Sequence, residues 1–183
     1  MTVDEMIADI LGREGGFANK AEDRGGPTNR GVSLRYMESR GVTRGADLNG
    51  DGVVDIADVR LVTDEIAAAW DREDFLEDPG LDALDEALQP QLFDMAVNHG
   101  PRRAVIILQD TLRILGMPVS RDGALGPRTL RAAEDALRAR GARVLNNELC
   151  EVRKSFYRQI VRNDPSQTRF LEGWLNRANE FRS

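Results

Sequence analysis

The chain has little of several features on which other protein classes depend. Its 183 residues include one cysteine, Cys150, and one histidine, His99, and only 5% are aromatic. A single cysteine excludes an internal disulfide framework, and its helical surroundings predict a buried thiol rather than a nucleophile. Aspartate and glutamate outnumber lysine and arginine by 31 to 25, so the net charge is -6. That balance argues against nucleic acid as the main partner.

Long apolar runs and a secretion signal are also missing. No stretch reaches the roughly 20 apolar residues of a transmembrane helix, so we expect no membrane insertion. The start, Met1-Thr2-Val3-Asp4-Glu5, lacks the basic residues and apolar run of a signal peptide. We therefore expect a soluble monomer that is made in the cytoplasm and is released by another factor if it acts outside.

Signals for β-structure are equally scarce. No alternating pattern longer than four residues predicts a strand, and no internal repeat is present. Apolar residues instead recur at helical spacing, between glycines and prolines that end each helix. Helices are predicted at 2–12, 34–40, from 59 towards Pro79, at 90–99, 104–115, 127–140, 144–161 and 168–181, with a short turn or helix at 81–88. The predicted fold class is all-α, with at most a small hairpin between Glu14 and Val32.

One segment, from Glu14 to Ser33, has a composition that packing does not require. It contains five glycines, three carboxylates and a proline within 20 residues. Glycine gives up backbone entropy and buries no side chain, so such a segment indicates a backbone path that carries polar groups past a ligand. We interpret it as an active-site loop, with Glu14 at the end of the first helix as the leading catalytic residue.

The polar residues of this loop suit the cleavage of a glycosidic bond. That reaction needs one carboxylic acid to protonate the leaving oxygen and a second group to activate water or stabilise the oxocarbenium-like state. Glu14 suits the acid role if it is partly desolvated. A hairpin would bring Asp23 and Thr28 opposite Glu14, where a carboxylate and a hydroxyl could position one water. From spacing alone, the alternative is a surface loop in which Asp23 and Thr28 merely cap turns.

The same segment resembles the N-terminal motif of glycoside hydrolase family 108, a group of N-acetylmuramidases found among phage endolysins and bacterial proteins. That motif reads roughly E-G-G-aromatic, a short polar spacer, then D-x-G-G-x-T-N-x-G-I/V-S/T. The matching positions are Glu14 to Phe17, Asp23, Gly25-Gly26, Thr28-Asn29 and Gly31 to Ser33. The resemblance implies that Glu14 is the catalytic acid. Asp23 and Thr28 are similar to the Glu-Asp-Thr arrangement of phage-type lysozymes, with one residue fewer between them, which leaves their roles open.

Further motifs in the second half of the chain resemble motifs of the same family. Phe93 to Gly100 reads F-D-M-A-V-N-H-G, and Phe170 to Arg177 reads F-L-E-G-W-L-N-R. Between them, Leu108-Gln109, Leu115-Gly116 and Asp122 to Leu130 resemble a predicted peptidoglycan-binding region. The resemblance implies a lysozyme-like helical fold. Its lobes would be an N-terminal catalytic lobe at residues 1–90 and a C-terminal peptidoglycan-binding lobe at residues 91–183.

Three residues of these motifs, Asn29, Asn98 and Trp174, are candidates for substrate binding. Asn98 stands at a helix end, where its amide either bonds a sugar hydroxyl or N-acetyl group or satisfies orphan carbonyl groups. Trp174 either stacks on a sugar face or fills the core. His99 is interpreted as a surface residue rather than a catalytic base.

A second distinct motif, Asp47 to Asp58, follows the EF-hand calcium loop. Oxygen donors stand at loop positions 1, 3, 5 and 9, glycine stands at position 6, and position 7 would give its carbonyl. The predicted ligands are Asp47, Asn49, Asp51, Val53, Asp55 and Asp58. Asp58 stands where a longer glutamate is usual, a departure similar to dockerin-type loops. Because these donors repel one another without a cation, we expect a structural Ca²⁺; the alternative is a solvated acidic turn.

Together these observations predict a muramidase that cleaves the β-1,4 bond between N-acetylmuramic acid and N-acetylglucosamine in the glycan strands of peptidoglycan. The missing signal peptide suits a phage endolysin released by a pore-forming partner, acting on periplasmic or cell-wall peptidoglycan. One alternative is a non-catalytic peptidoglycan-binding or secretion-associated protein that keeps the fold. Another is a calcium-responsive interaction module. The intact run from Glu14 to Ser33 favours the enzyme, because a binding protein has no need of the acid.

Overall fold

The computed structural model describes residues 2–13, 16–18 and 26–182. Over these residues the regular secondary structure is helical apart from one small antiparallel hairpin, which confirms the predicted all-α fold. The helices are α1 (Val3–Arg13), α2 (Leu34–Arg40), α3 (Ile56–Leu61), α4 (Asp64–Arg72), α5 (Gln89–His99), α6 (Pro101–Ile114), α7 (Pro127–Arg140), α8 (Ala142–Asn163) and α9 (Thr168–Asn179). The strands are β1 (Thr28–Asn29) and β2 (Val32–Ser33). None of the described helices combines the length and apolar character needed to cross a lipid bilayer.

The chain divides into two compact units. The first spans Val3–Asp74 and the second begins at Phe75. The first unit contains the hairpin, α1 to α4 and the acidic loop, and the second contains α5 to α9. The domain boundary predicted after residue 90 stays a prediction.

The core of the first unit is an apolar cluster to which most of its elements contribute. Met37 of α2 and Val59 of α3 are fully buried in it, and Val32 of β2 is nearly so. Leu11 of α1 and Leu48 of the acidic loop pack against this cluster. One apolar core therefore packs against the end of α1, the hairpin and the acidic loop.

The apolar stripe predicted as a single helical segment from Val59 onward is two helices. α3 ends at Leu61, Val62 has extended backbone, and the Thr63 side chain accepts a hydrogen bond from the Ile66 N–H at the start of α4. The prediction was wrong because Val62 and Ile66 keep helical spacing across the break. The N-cap residue Thr63 was the signal for a new helix start.

In the second unit, α8 is the longest helix and contacts α6, α7 and α9.

A buried glutamine fixes the loop that precedes α7. The Gln109 amide nitrogen donates to the Asp122 carboxylate at 2.8 Å and to the Ala124 carbonyl at 3.1 Å, and its oxygen accepts from the Gly123 N–H at 2.9 Å. Gly123 has a φ of 74°, and a Cβ there would lie 2.7 Å from the Arg102 side chain. The Leu108-Gln109 and Asp122-Gly123 motifs thus shape this loop.

Candidate active site and acidic loop

The predicted catalytic residues Glu14 and Asp23 lie outside the described residues, and the structure describes elements before and after them in the chain. α1 ends at Arg13. Ala18 and Thr28 form an antiparallel pair in which each N–H donates to the other's carbonyl at 2.8 Å. Asp23 lies between these two paired residues in the sequence.

Thr28 occupies the middle of a short antiparallel arrangement. It pairs with Ala18 on one side and, in the β1–β2 register, with Ser33 on the other. The two residues that connect the strands, Arg30 and Gly31, have φ values of 53° and 81°, which is the left-handed geometry of a tight hairpin turn. The small hairpin predicted between Glu14 and Val32 is therefore confirmed, and it holds the Thr28 backbone in place on both sides.

The neighbouring Asn29 links the hairpin to α3. Its amide nitrogen donates to the carbonyl oxygens of Val59 at 3.0 Å, Arg60 at 3.4 Å and Val62 at 3.1 Å, and the residue is buried. These carbonyls belong to the last turn of α3 and its C-cap residue Val62, so Asn29 caps the C-terminus of α3. Because side chains alternate along a strand, Thr28 faces the opposite side of the hairpin. The substrate contact predicted for Asn29 stays a prediction.

Removing the Asn29 side chain is expected to destabilise the first unit. Asn29→Ala leaves three carbonyl groups without this donor, and one such buried loss costs about 1–3 kcal/mol. Urea unfolding of wild type and variant measures the change. Asn176→Ala, at an exposed position of α9, is the control and should stay within about 0.5 kcal/mol. An Asn29→Ala effect no larger than that of the control would contradict the capping role.

In the second unit, a buried charge network joins α5, α8 and α9. The Asp94 carboxylate accepts from Arg153 and, at 2.8 Å, from Nε of Arg177. Arg153 donates from its Nε to the Tyr157 hydroxyl at 2.7 Å, and that hydroxyl lies 2.9 Å from Nε2 of His99. Asp94, Arg153 and Tyr157 are buried. The aspartate of the Phe93 motif and the arginine of the Phe170 motif therefore bind each other directly.

His99 is half-buried, so the prediction of a surface residue was wrong. Its ring packs edge-on against Phe156 and Tyr157, at centroid distances of 5.4 and 5.2 Å. Burial, reinforced by the nearby Arg153 charge, lowers the pKa of His99 to about 4. The imidazole is consequently neutral near pH 7.

This lowered pKa predicts a pH-dependent stability. Between about pH 6.5 and the folded value, the unfolded chain binds the His99 proton more strongly, so the free energy of unfolding falls as the pH falls through this window. Thermal midpoints measured from pH 7 to pH 5 should decline for wild type and decline less for His99→Gln. A variant that keeps the full wild-type slope would show that another group titrates there.

The two remaining substrate-binding candidates lie near this network. Trp174 is half-buried and stacks between Tyr157 and the exposed Phe170, at centroid distances of 5.4 and 5.9 Å. The Asn98 amide nitrogen donates to the backbone carbonyl of Asp94 at 2.6 Å, so it satisfies a helix carbonyl here. Their contacts with substrate stay predictions.

The acidic loop is organised by its own side chains. The Asp47 carboxylate accepts from the N–H groups of Gly50 at 2.7 Å and Gly52 at 2.8 Å, and Asp51 accepts from Val53 at 2.9 Å. Gly50 and Gly52 have φ values of 80° and 87°, the left-handed conformation that a tight loop of this kind requires. The loop therefore turns around the positions that the motif assigns as ligands.

Asp58 plays a different part in the loop. It is fully buried, and its carboxylate accepts from the N–H groups of Leu48 at 2.7 Å, Asn49 at 3.1 Å and Asp55 at 2.9 Å. Burial opposes ionisation, but these backbone donors prevail and lower the pKa of Asp58. Asp55 in turn caps α3 by accepting from the Ala57 N–H at 2.6 Å. Asp58 thus closes the loop onto the start of α3.

The donor set fits calcium in chemistry and order. Carboxylate and amide oxygens are the ligands that Ca²⁺ prefers, and Asp47, Asn49 and Asp51 present them on an exposed turn. Within the described residues, no three carboxylate oxygens of this loop lie within 4.8 Å of one another. Binding would therefore draw these side chains together around the ion.

Comparison with known proteins shows the family to which the chain belongs. Residues 7–100 match the family described as glycosyl hydrolase 108, and residues 103–179 match a predicted peptidoglycan domain. The chain belongs to the glycosyl hydrolase 108 family. It is therefore a glycoside hydrolase that acts on peptidoglycan.

A solved structure supports the same fold. The chain is similar to that in the structure of Brucella abortus SagA, with 27% identity and a TM-score of 0.68, over 97% of this chain and 89% of that one. No curated protein matches this sequence. The lysozyme-like helical fold that the resemblance implied is confirmed.

Proposed function

We propose that this protein is an N-acetylmuramidase that hydrolyses the β-1,4 bond between N-acetylmuramic acid and N-acetylglucosamine. The observation that carries the proposal is the backbone pairing of Ala18 with Thr28. It supports the proposal because Asp23 lies between these two residues in the sequence and Thr28 is itself one of the proposed water-positioning residues. The family match over residues 7–100 supports it.

In this mechanism each residue has one task. Glu14, at the position that follows α1, protonates the glycosidic oxygen as the bond to the anomeric carbon breaks. Asp23 accepts a proton from the attacking water, and the Thr28 hydroxyl orients that water. Thr28 suits this task because its backbone is hydrogen-bonded to Ala18 and paired with Ser33, so its hydroxyl is carried on a fixed strand.

Recognition of the glycan falls to the remaining candidates. Trp174 offers an aromatic face beside the exposed Phe170, and sugar rings stack on such faces. The Asn29 and Asn98 amide nitrogens are already hydrogen-bonded within the protein, so their carbonyl oxygens would receive sugar hydroxyl or N-acetyl N–H groups.

The identity of the new chain ends tests the bond assignment. Purified peptidoglycan is digested, the products are reduced with borohydride, and the reduced sugar is identified by mass spectrometry. Reduced N-acetylmuramic acid is expected. Reduced N-acetylglucosamine would assign the other glycosidic bond and contradict the proposal.

We further propose an endolysin role: a monomer made in the cytoplasm that reaches periplasmic or cell-wall peptidoglycan through a pore-forming partner. Its support is the match to a glycoside hydrolase family together with a peptidoglycan domain in one short chain. Expression of the protein alone should leave cells intact, whereas permeabilising the inner membrane should cause prompt lysis. Lysis without permeabilisation, or none with it, would contradict this role.

We propose that the acidic loop binds a structural Ca²⁺. The proposed ligands are Asp47, Asn49, Asp51, the Val53 carbonyl, Asp55 and, at the last position of the loop, Asp58. A cation that binds only the folded state stabilises it by mass action. Millimolar Ca²⁺ is therefore expected to raise the thermal midpoint by several degrees, on the order of the shift that a few kcal/mol produces.

The Asp51→Asn variant tests this proposal most cleanly. Asparagine can still accept the Val53 N–H bond, so the turn is kept, while one ligand charge and the exposed hydrogen bond from the Asn49 amide nitrogen to the other Asp51 oxygen are lost. The variant should show most of the wild-type midpoint without Ca²⁺ and little increase with it. Asp82→Asn, an exposed carboxylate of the second unit, is the control. A chelator that leaves the wild-type midpoint unchanged would remove the calcium proposal.

A further inference from the structure

The second unit contains an open cavity of about 320 Å³ where the loop before α7 meets that helix. Its apolar wall is formed by Met117, Pro118 and Pro127. Its other wall is the face of α7 that carries Arg128 and Arg131, which are one turn apart. The cavity is therefore apolar on one side and cationic on the other.

The guanidinium groups of the two cavity arginines are available to a ligand. Both are exposed, and neither guanidinium has an ion-pair or hydrogen-bond partner among the described residues. The acidic side chain on the same wall, Asp135, is bound by Arg138 at 3.0 Å. In a chain of net charge -6, this leaves a local surplus of positive charge at an apolar cavity.

The loop beside the cavity is fixed at the end that leads into α7. Buried Gln109 bonds Asp122, Gly123 and Ala124, a few residues before Pro127 and the helix face that carries the two arginines. A preformed site loses little conformational entropy on binding.

We propose that this cavity binds the peptide stem of peptidoglycan through the stem's carboxylates. The stem is a short peptide with alanine methyl groups and several free carboxylates, and it matches a cavity with apolar residues opposite two unpaired arginines. Guanidinium–carboxylate contacts are strong and geometrically specific. The cavity also lies within residues 103–179, which match a predicted peptidoglycan domain. The inference rests on the proposed substrate and adds a second contact to it, remote in sequence from Glu14.

Titration with a soluble stem peptide tests this inference directly. The full chain is titrated with the tripeptide L-Ala–γ-D-Glu–diaminopimelate and with the same peptide carrying carboxamides, and binding is followed by calorimetry or NMR. The Arg128→Gln/Arg131→Gln variant should weaken binding of the acidic tripeptide by about tenfold or more. The amidated peptide should bind wild type weakly and the variant equally weakly. The control, Arg140→Gln/Arg143→Gln, makes the same charge change at exposed positions outside the cavity and should bind like wild type.

Each outcome decides between the inference and its alternatives. No tripeptide binding to wild type at millimolar concentration, or equal binding by the cavity variant, would overturn it. Equal weakening in the control would attribute binding to general charge and also overturn it. Hydrolysis of peptide-free glycan strands should be unchanged in the cavity variant. If wild type binds the tripeptide but hydrolyses no glycan, the proposed function fails while this inference stands.

Discussion

Glu14→Gln is expected to lower the rate of peptidoglycan hydrolysis by about 10³-fold, within the range that a general acid contributes. Glutamine keeps the size and shape of the side chain but has no proton of suitable acidity for the leaving oxygen. Release of reducing ends from purified peptidoglycan measures the rate. Thermal unfolding should be close to wild type, since the substitution keeps the size and shape of the side chain.

The matched control is Glu5→Gln, the same chemical change at an exposed position of α1. It should hydrolyse peptidoglycan at the wild-type rate. If Glu14→Gln retained more than about a tenth of the wild-type rate, general acid catalysis by this residue would be excluded. A loss shared by both variants would instead point to damage of α1.

Asp94→Asn is expected to destabilise the second unit by about 3–5 kcal/mol, because it leaves the buried Arg153 guanidinium without its counter-charge. The Arg153 side chain is fully buried, whereas Arg177, the other partner, is 38% exposed and can turn to solvent. One nitrogen of Arg153 already has no hydrogen-bond partner in the described structure, so the network has no spare acceptor. Urea unfolding measures the loss, and a lower thermal midpoint should accompany it.

The control for this prediction is a surface ion pair of the same unit. Asp110 accepts from Arg121 at 2.7 Å, with both side chains partly exposed, so Asp110→Asn should cost no more than about 1 kcal/mol. Similar costs for the two variants would show that burial of the Asp94 network does not matter. Because Tyr157 and Trp174 pack beside this network, the destabilised variant should also bind glycan less well at temperatures near its midpoint.

Local sequence signals predicted much of this fold because they act within one helical turn. The helix predicted at residues 34–40 has these bounds in the structure, where the Ser33 hydroxyl caps it by accepting from the Tyr36 N–H and Gly41 ends it. The glycine and proline pairs around α5 and α7 likewise set helix ends that the structure confirms within a residue or two. Caps and breakers are read from neighbouring residues, which a sequence displays directly.

Contacts between distant residues were not predictable in the same way. Asp94 meets Arg153 across 59 residues and Arg177 across 83, and no local pattern reports such pairing. The sequence showed only two separate motifs, at Phe93 and Phe170, and nothing in either motif indicates that their charged residues pair. Asn29 shows the same limit: its motif suggested a substrate contact, while its amide nitrogen reaches α3 about 30 residues away. In both cases tertiary packing decides what a polar side chain does.

The most direct test of hydrolysis by this protein uses water labelled with heavy oxygen. Purified peptidoglycan is digested in that water and the fragments are analysed by mass spectrometry. The account predicts reducing N-acetylmuramic acid ends that each carry one heavy oxygen from the attacking water. Unlabelled anhydro ends would contradict it, because they form when the sugar's own hydroxyl, not water, attacks the anomeric carbon.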